Sequence, residues 1–569
     1  MFHSPHGTVQ RTAGPESGSR SKDHEPPKTI PSEPLPLAPA GGVCLSKKRK
    51  TPASPPTALA SRSTTSSSLA YASVAIVVVD TAPARTKALP GQSIATDSDP
   101  PIPTRAMPSS ENGAAMTAKS MDGFTLDGCK GSTVTFDARV NSVLEANSPE
   151  QRLLELRLGE RALQAFVDAT AIPEAVWNRA RDLTPESIIR VTGHVQSGRV
   201  CVTNLDVIAY ASPNLPPCRS HSLGLEARLS HRILDVRRAA SGAMFKLHSA
   251  MCQLIVEFLC SNGFHWIHTP RIITATIPGD NEYFHLPYFG KDAWLAQSSQ
   301  HHKQMALSMD MQRVFEIGPV FRAEVKSSKS MRHMTEFTVL DIAMTFEDDY
   351  HEVVDLVESM LLFVFGALQE RRPYGQLVQV VKDVYPGARP FRIGLDEHGK
   401  VPRVTFLEAK RILREELGLE SDDGKNFTDQ EEAALGRHFL ESSRLGNTDV
   451  FTIERYPASM RQFNSQASPD APGLSNTWDT IVGGREVCSG SQRINSYDEL
   501  REAMRAGICG PPMDPDADKW QPYLAAFKTG MPRHGGCGLG VNRLLQGFLG
   551  LDDVREVTLF PRDVNTLTP

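Results

Sequence analysis

The sequence predicts an α+β chain: an N-terminal extension without fixed structure, a small β-barrel, and a larger domain built on an antiparallel sheet flanked by helices. Three observations carry that expectation. Hydrophobic periodicity is missing before about residue 119, it takes the two-residue period of strands over 131–210, and after 229 strands and helices follow one another without a parallel βαβ rhythm. The 569 residues, 40% hydrophobic and 22% charged, suffice for two or three domains with a sizeable core.

Residues 1–118 are rich in Pro, Ser, Thr, Ala and Gly, as in PSEPLPLAPAGG and SRSTTSSS. Such a composition cannot bury enough surface to offset chain entropy, so the extension reads as disordered. Its KKRK at 47–50 is first of all a solvated charge run, with a nuclear signal, an RNA-contacting tract or part of an organelle leader as the other readings. The most apolar run, LAYASVAIVVV at 69–79, falls short of the ~20 residues of a spanning helix, so no membrane partner is expected. It also lies too far from Met1 for an ordinary secretory signal. Nine cysteines without a CxxC pair read as free thiols in a reducing compartment, not as a disulfide framework or metal site. A net charge of −5 and a pI near 6.4 give no overall attraction to nucleic acid, so any RNA contact has to be local. A cytoplasmic location is expected, with mitochondrial import as the alternative because the leader starts basic and poor in acids.

Over 119–213 the runs STVTFDARV, LLELRL and ALQAFVDA alternate apolar and polar residues, the helical PEAVWNRARDL follows, and SIIRVTGHV and RVCVTNLDVIAY resume the alternation. Five short strands with one helix between the third and fourth suggest a closed barrel of the OB type, which often binds single-stranded nucleic acid. Strand count alone does not show that it does so here. The PNLPP run at 213–217 opens a hinge over 214–227, and the second domain spans 228–569. It enters on an amphipathic helix in which Met244, Leu247, Met251, Leu254, Ile255 and Leu259 recur at three and four spacing and Gly263 is the stop. A further helix is expected at about 351–369, then a polar insertion around 418–449.

Within this domain VFEIGPVFRAE, a turn at SSKS, and HMTEFTVLDIAMTF make an antiparallel hairpin. Arg322 and Glu324, two residues apart, then share one face. A guanidinium held there suits an oxyanion or phosphate, and Phe337 can stack on a base. Taken alone the stretch is what an ordinary half-exposed strand shows. EVCSGSQR at 486–493, preceded by SNTWD at 475–479, brings Asp479, Glu486 and the Ser489 hydroxyl, the hard oxygens Mg²⁺ prefers when it also binds a nucleotide phosphate. GCGLGVNRLLQGFLG at 536–550 supplies glycines that let backbone approach a ligand, and Arg543 opens a helix after them.

Together, in this order and ending in LFPRD at 559–563, these motifs resemble the class II aminoacyl-tRNA synthetases, and within them the aspartate-specific branch of archaeal and eukaryotic cytosolic type. The resemblance covers about 131–569. GFHWIHTPRI around Pro270 looks like the first family motif, at the dimer interface; VFRAE with RHMTEF looks like the second; GLGVNR with LFPRD looks like the third. It implies a homodimeric ligase using ATP and Mg²⁺ to convert L-aspartate into aspartyl-adenylate and to transfer it to the 3′ end of tRNA(Asp), with the barrel as anticodon-binding domain. LAQSSQHHKQ at 295–304, similar to the family's LAQSPQLYKQ, places Lys303 opposite the substrate side-chain carboxylate, and a cation there favours aspartate over asparagine or lysine.

The resemblance further implies a role for each matched residue. Arg322 would bind the substrate α-carboxylate and the ATP α-phosphate, Phe337 would stack on adenine with Glu324 beside it, and Gly540 would line the ATP site. Arg332 and His333 would meet the outer phosphates, and Arg543 the γ-phosphate. Asp479, Glu486 and Ser489 would bind Mg²⁺, Ser489 also touching aspartate. Gln300 and Asp341 would orient the substrate amine, Lys303 and Arg493 would read its side chain, and Gln164 would contact the anticodon. Several positions depart from the pattern: Pro278, Ala343 and Asn542 stand where the family has glutamates, MPRHGG at 531–536 replaces PPHAG, RQF at 461–463 replaces RPF, and Leu153 takes the place of an aromatic that stacks on the anticodon. The first three keep two other readings in view, a non-charging RNA-binding or regulatory paralogue and an enzyme passing the aspartyl group to another acceptor.

Overall fold

Alternation of apolar and polar residues over 133–209 builds one sheet, and two longer stretches of the chain build another. The computed structural model describes residues 116–117, 129–159, 161–216, 223–276, 283–324, 333–385, 387–507 and 511–568. The expectations for the extension up to residue 115, KKRK, Pro278, the SSKS turn and Arg332 lie outside these residues.

The first sheet comprises β1 (Met116–Thr117), β2 (Thr133–Glu145), β3 (Gln151–Leu158), β4 (Arg161–Asp168), β5 (Ile188–Gln196) and β6 (Arg199–Ala209), with the helix Glu174–Arg181 between β4 and β5. Their order is β1-β2-β3-β4-β6-β5, and β2 also pairs with β5. This corrects the expected closed five-stranded barrel. A sixth strand, β1, adds in parallel to β2, and β4 meets β6 through only Ala165↔Val200 and Phe166↔Cys201, whereas β3 and β4 are paired from end to end. The sheet is therefore not closed into a barrel. Register shifts in the β2–β3 and β5–β6 ladders sharpen the local twist and carry β4 and β6 apart beyond those two pairs. Its inner face buries Val134, Phe136, Leu154, Leu156, Ala165 and Val191, against which the helix lays Val176 and Ala180.

After the helix Ala239–Ser261, which Gly263 ends at φ 78°, come β7 (His265–Trp266), β8 (Ile272–Ile273), β9 (His285–Tyr288), β10 (Lys291–Leu295), the helix Gln300–Leu307, β11 (Arg313–Phe321) and β12 (Glu336–Thr345). The helices His351–Glu370 and Arg372–Lys382 lead to β13 (Arg403–Thr405), the helix Asp429–Glu441, β14 (Val450–Glu454), β15 (Thr477–Val482), β16 (Arg485–Arg493), β17 (His534–Gly540) and the helix Val541–Leu549. Eight strands form one sheet in the order β13-β14-β15-β16-β17-β12-β11-β7, while β8-β10-β9 form a small separate one. The large sheet is antiparallel except at its two edges, where β7 runs parallel to β11 and β13 to β14. Long helices cover one face: Leu247, Met251, Leu254 and Ile255 of Ala239–Ser261 and Val353, Val357, Leu361 and Val364 of His351–Glu370 join Leu539, Leu544 and Phe548 in one core. The helix Ala239–Ser261 is long and apolar enough to cross a membrane by length and composition, yet its apolar stripe is part of that core. The polar insertion holds the helix Asp429–Glu441, started by a capping box in which the Thr428 hydroxyl accepts from the Glu431 N–H while the Glu431 carboxylate accepts from the Thr428 N–H.

Candidate active site

The face of the large sheet away from the long helices carries a cavity of about 370 Å³. Strand pairing explains why chemistry collects there. Register aligns Glu316, Asp341, Gly538, Ser489 and Asp479 across β11, β12, β17, β16 and β15, so one row runs over five strands. On β12 the two-residue period adds Phe337 and Val339 to the face of Asp341, and all three line the cavity. Gly538 leaves the centre of the row without a side chain; a Cβ built there would touch Asp341 Oδ1 at 3.5 Å and Val339 Cγ2 at 3.9 Å.

On β16 simple alternation would put Glu486 and Ser489 on opposite faces. A bulge between Thr480 and Ile481 of the partner ladder resolves this: Thr480 pairs with Cys488 and Ile481 with Glu486, leaving Val487 as the extra residue. Glu486 therefore joins Ser489, Ser491 and Arg493 along the cavity.

At the hairpin end Arg322 continues the ladder, its N–H donating to the Thr335 carbonyl at 2.9 Å. Its guanidinium lies 5.4 Å from the centre of the Phe337 ring, and its Nε is buried with no hydrogen-bond partner. Arg543, in the first turn of Val541–Leu549, donates from Nη1 to the Glu486 carbonyl at 3.0 Å. Glu324, His333 and Gly540 also line the cavity.

At the other end Asp341 is buried and accepts from Lys303 Nζ at 2.8 Å and from the Ser299 N–H and Oγ at 2.9 Å each, at the N-terminus of Gln300–Leu307. Burial alone would push its carboxyl up, but the Lys303 ammonium and the serine donors outweigh that and hold it below the ordinary carboxylate range. Lys303 itself is fully buried and also donates to the Cys537 carbonyl at 3.0 Å; it is not among the lining residues. Arg493 does line the cavity, and its partners are neutral: Nη1 donates to Asn464 Oδ1 and Nη2 to Gln300 Oε1, both at 3.0 Å, while Nε has no partner. Burial pulls this guanidinium down to about 10.

Asp479 is buried behind the lining. Its Oδ2 accepts from Arg461 Nη2 at 2.7 Å, and its Oδ1 has no partner. Arg461 also donates from Nη1 to Ser489 Oγ at 3.1 Å and lies 3.7 Å from the centre of the Tyr456 ring. No cluster of three or more His, Cys, Asp or Glu suited to a metal occurs among the described residues. Two carboxylates, one with an unsatisfied oxygen, and a hydroxyl nevertheless form a donor set of the kind Mg²⁺ uses beside phosphate oxygens.

Of the residues singled out from sequence, Gln300, Arg322, Glu324, His333, Phe337, Asp341, Glu486, Ser489, Arg493, Gly540 and Arg543 meet at this one cavity. Lys303 and Asp479 stand directly behind it, and Gln164 is on β4 of the other sheet. Sequence reasoning missed Arg461 as a site residue: RQF was noticed only as a departure from a motif, and nothing local says that its arginine reaches both Asp479 and Ser489. Of the departures, Asn542 is a brace, accepting from the Thr338 N–H at 2.9 Å and donating to Thr558 Oγ1 at 3.1 Å. Ala343 packs in an apolar cluster with Leu307, Val314 and Phe463.

Comparison with known proteins agrees with this geometry. Residues 224–564 match the family described as tRNA synthetases class II (D, K and N). The cytoplasmic aspartate–tRNA ligase of Mus musculus is 37% identical over 417 residues, covering 68% of this chain and 79% of the mouse protein. The solved aspartyl-tRNA synthetase of Entamoeba histolytica superposes with a TM-score of 0.66 at 30% identity over 78% of this chain and 91% of that one. The asparaginyl-tRNA synthetase of Pyrococcus horikoshii, solved with asparaginyl-adenylate, gives the same TM-score at 27% identity, over 78% of this chain and 97% of its own. Backbone similarity therefore does not separate the two amino acids, and the side chains lining the cavity have to.

Proposed function

We propose a division of labour within this cavity, starting from what the chain is: a class II aminoacyl-tRNA synthetase of the aspartate–tRNA ligase family. It is an ATP-dependent enzyme that joins aspartate to tRNA(Asp). The single observation that carries the choice of side chain is Arg493, a buried cation with only neutral partners at the cavity wall. A buried unpaired charge is costly, and a substrate carboxylate removes that cost where a carboxamide does not. Lys303 serves the same end indirectly, because its ammonium is already taken up by Asp341. Held ionised, Asp341 orients the substrate amine, and Gln300 helps fix the Arg493 fork.

In the first step an α-carboxylate oxygen of aspartate attacks the α-phosphorus of ATP, and the bond to the β-phosphate bridging oxygen breaks to release pyrophosphate. Arg322, with an unpartnered Nε beside the adenine-stacking Phe337, binds both reactants and spreads the charge that develops between them. Glu324 lies beside the base and Gly540 along the nucleotide. Arg332 and His333 meet the outer phosphates, and Arg543 the γ-phosphate. Asp479, Glu486 and Ser489 hold Mg²⁺, and the unpartnered Asp479 Oδ1 supports that fit. The ion, when bound, adds positive charge beside the phosphates. In the second step a hydroxyl of the terminal ribose of tRNA attacks the acyl carbon and AMP leaves. No protein nucleophile takes part.

The boundaries expected from sequence suit this reading, with 119–213 for the anticodon, contacted through Gln164, 214–227 as hinge and 228–569 for the chemistry. The homodimer forms through the element around Pro270: β7 is an edge of the large sheet, and Trp266 at 46% and Ile272 at 45% exposure flank Pro270. Cytoplasmic placement agrees with the cytoplasmic designation of the mouse relative.

Aspartate-dependent ATP–pyrophosphate exchange and charging of tRNA(Asp) test the assignment. Exchange is expected with aspartate and not asparagine, Arg322→Ala is expected to abolish it, and Arg493→Gln to raise the aspartate KM about 100-fold, the scale of a lost buried charge pair. Equal exchange with asparagine, or an unchanged KM in Arg493→Gln, defeats the role given to Arg493.

A further inference from the structure

We propose that Phe166 is the ring on which this chain stacks an anticodon base of its tRNA, in place of the aromatic that the family pattern puts where Leu153 stands. The inference rests on the anticodon contact proposed above for Gln164 and says how this particular chain completes it.

Pairing of β3 with β4 sets Leu153 opposite Phe166 and Glu155 opposite Gln164, so these four side chains share the outer face of the sheet. Leu154, Leu163, Ala165 and Val167 turn inward and are buried. Leu144 of β2 opposes Leu153, and Cys201 of β6 opposes Phe166, so an apolar row crosses four strands, with Leu144 at its end 44% exposed. Phe166 is half-buried and belongs neither to the inner core nor to the side chains packed against it. It is the one aromatic of that row. A leucine offers no π face to a base, whereas a phenyl ring offers one to any base.

The neighbours point to the same occupant. Gln164 is exposed, lies two residues along the same strand, roughly 7 Å away, and no side-chain hydrogen bond joins it to another described residue. Its amide is able to donate to and accept from a base edge. Further along the face Arg139 opposes Arg157, and these two converge with Arg237 on the single carboxylate of Glu186, with contacts of 3.8, 2.9 and 2.8 Å. Three guanidinium groups around one acid give this side of the face a positive border, complementary to an RNA backbone. An apolar row alone is what sheet stability asks for; a lone ring, an uncommitted amide beside it and a positive border are what an unpaired base asks for.

The test uses the full chain as wild type, Phe166→Leu and the exchanged pair Leu153→Phe/Phe166→Leu. Three readouts are needed: the tRNA(Asp) Kd by filter binding, the tRNA KM in charging, and aspartate-dependent ATP–pyrophosphate exchange, with a thermal melt of each variant. Phe166→Leu is expected to raise the tRNA Kd and KM about ten-fold, the scale of one lost base stack, with exchange and melt unchanged, and the exchanged pair to recover most of the loss. Unchanged tRNA Kd and KM in Phe166→Leu overturns the proposal. So does a parallel loss of exchange and melting temperature that the exchanged pair repairs only by restoring the fold, since the ring is then structural. If the wild-type chain binds tRNA(Asp) without charging it, the Kd still decides Phe166 and only the catalytic reading falls.

Discussion

His534 is fully buried beneath the cavity, and its two ring nitrogens have different duties. Nδ1 faces the Pro532 carbonyl at 2.8 Å and so carries the proton, which leaves Nε2 to accept from Gln304 Nε2 at 2.8 Å. Gln304 Oε1 then accepts from Gln300 Nε2 and Tyr523 Oη, and Gln300 Oε1 accepts from Arg493. A neutral imidazole thus stands at the root of the network that aims Arg493. Burial holds it neutral, pulling its pKa to about 4 against an ordinary 6.5. Because the folded value lies below the unfolded one, the stabilisation is complete above about pH 6.5 and is lost as pH falls through 4, roughly 3 kcal/mol at most. Thermal melts between pH 7 and 4 are expected to fall with acid, and His534→Gln is expected to flatten that fall. An unchanged slope in the variant assigns acid sensitivity elsewhere. The stretch MPRHGG at 531–536 stands out in the sequence only as a departure from a motif, and the role of its histidine is defined by burial and the distant Gln304.

Among the elements β16 is the most instructive. Its sequence places two residues between Glu486 and Ser489, which in a regular strand points them to opposite faces. The extra Val487 turns Glu486 to the side of Ser489, Ser491 and Arg493. Deleting Val487 removes only the extra residue, and even pairing then keeps Glu486 two positions from Ser489 on the same face, so the carboxylate is expected to stay at the cavity. Pyrophosphate exchange should largely survive the deletion, whereas Glu486→Gln at intact strand length should lower it about 100-fold with the far-ultraviolet circular dichroism retained. A deletion variant as inactive as Glu486→Gln, with its circular dichroism retained, speaks against this account of the bulge. The hairpin of β11 and β12 needs no such device: Val320 opposes Phe337 and Glu316 opposes Asp341 in unbroken register, as plain alternation predicts. The same rule failed for the first sheet. It marked five strands and one helix rightly, but not how far β4 and β6 stay paired, which depends on twist accumulated over the whole sheet.

At the scale of the whole molecule the exposed apolar residues near β7–β10 ask for a cover. Trp266 and Ile272 are joined by Tyr288 at 44% and Phe289 at 93% exposure. If a second copy covers them, Trp266→Glu with Ile272→Glu shifts the sedimentation coefficient from dimer to monomer at micromolar concentration, and a wild-type chain that sediments as a monomer refutes that assembly. What the sequence alone determined is what local pattern encodes: the periodicity of the long core helix, the register-ready hairpin around Arg322, the glycine run before Arg543, and, from their order, the family. Only the tertiary structure decided the relations between distant residues. It closed Lys303 onto Asp341, gave Arg493 at the cavity wall neutral hydrogen-bond partners, brought Arg461 to Asp479 and Ser489, and set Phe166 opposite Leu153. Each of these depends on strand pairing, burial or a bulge that joins residues far apart in the chain, and side-chain spacing along one strand carries no information about them.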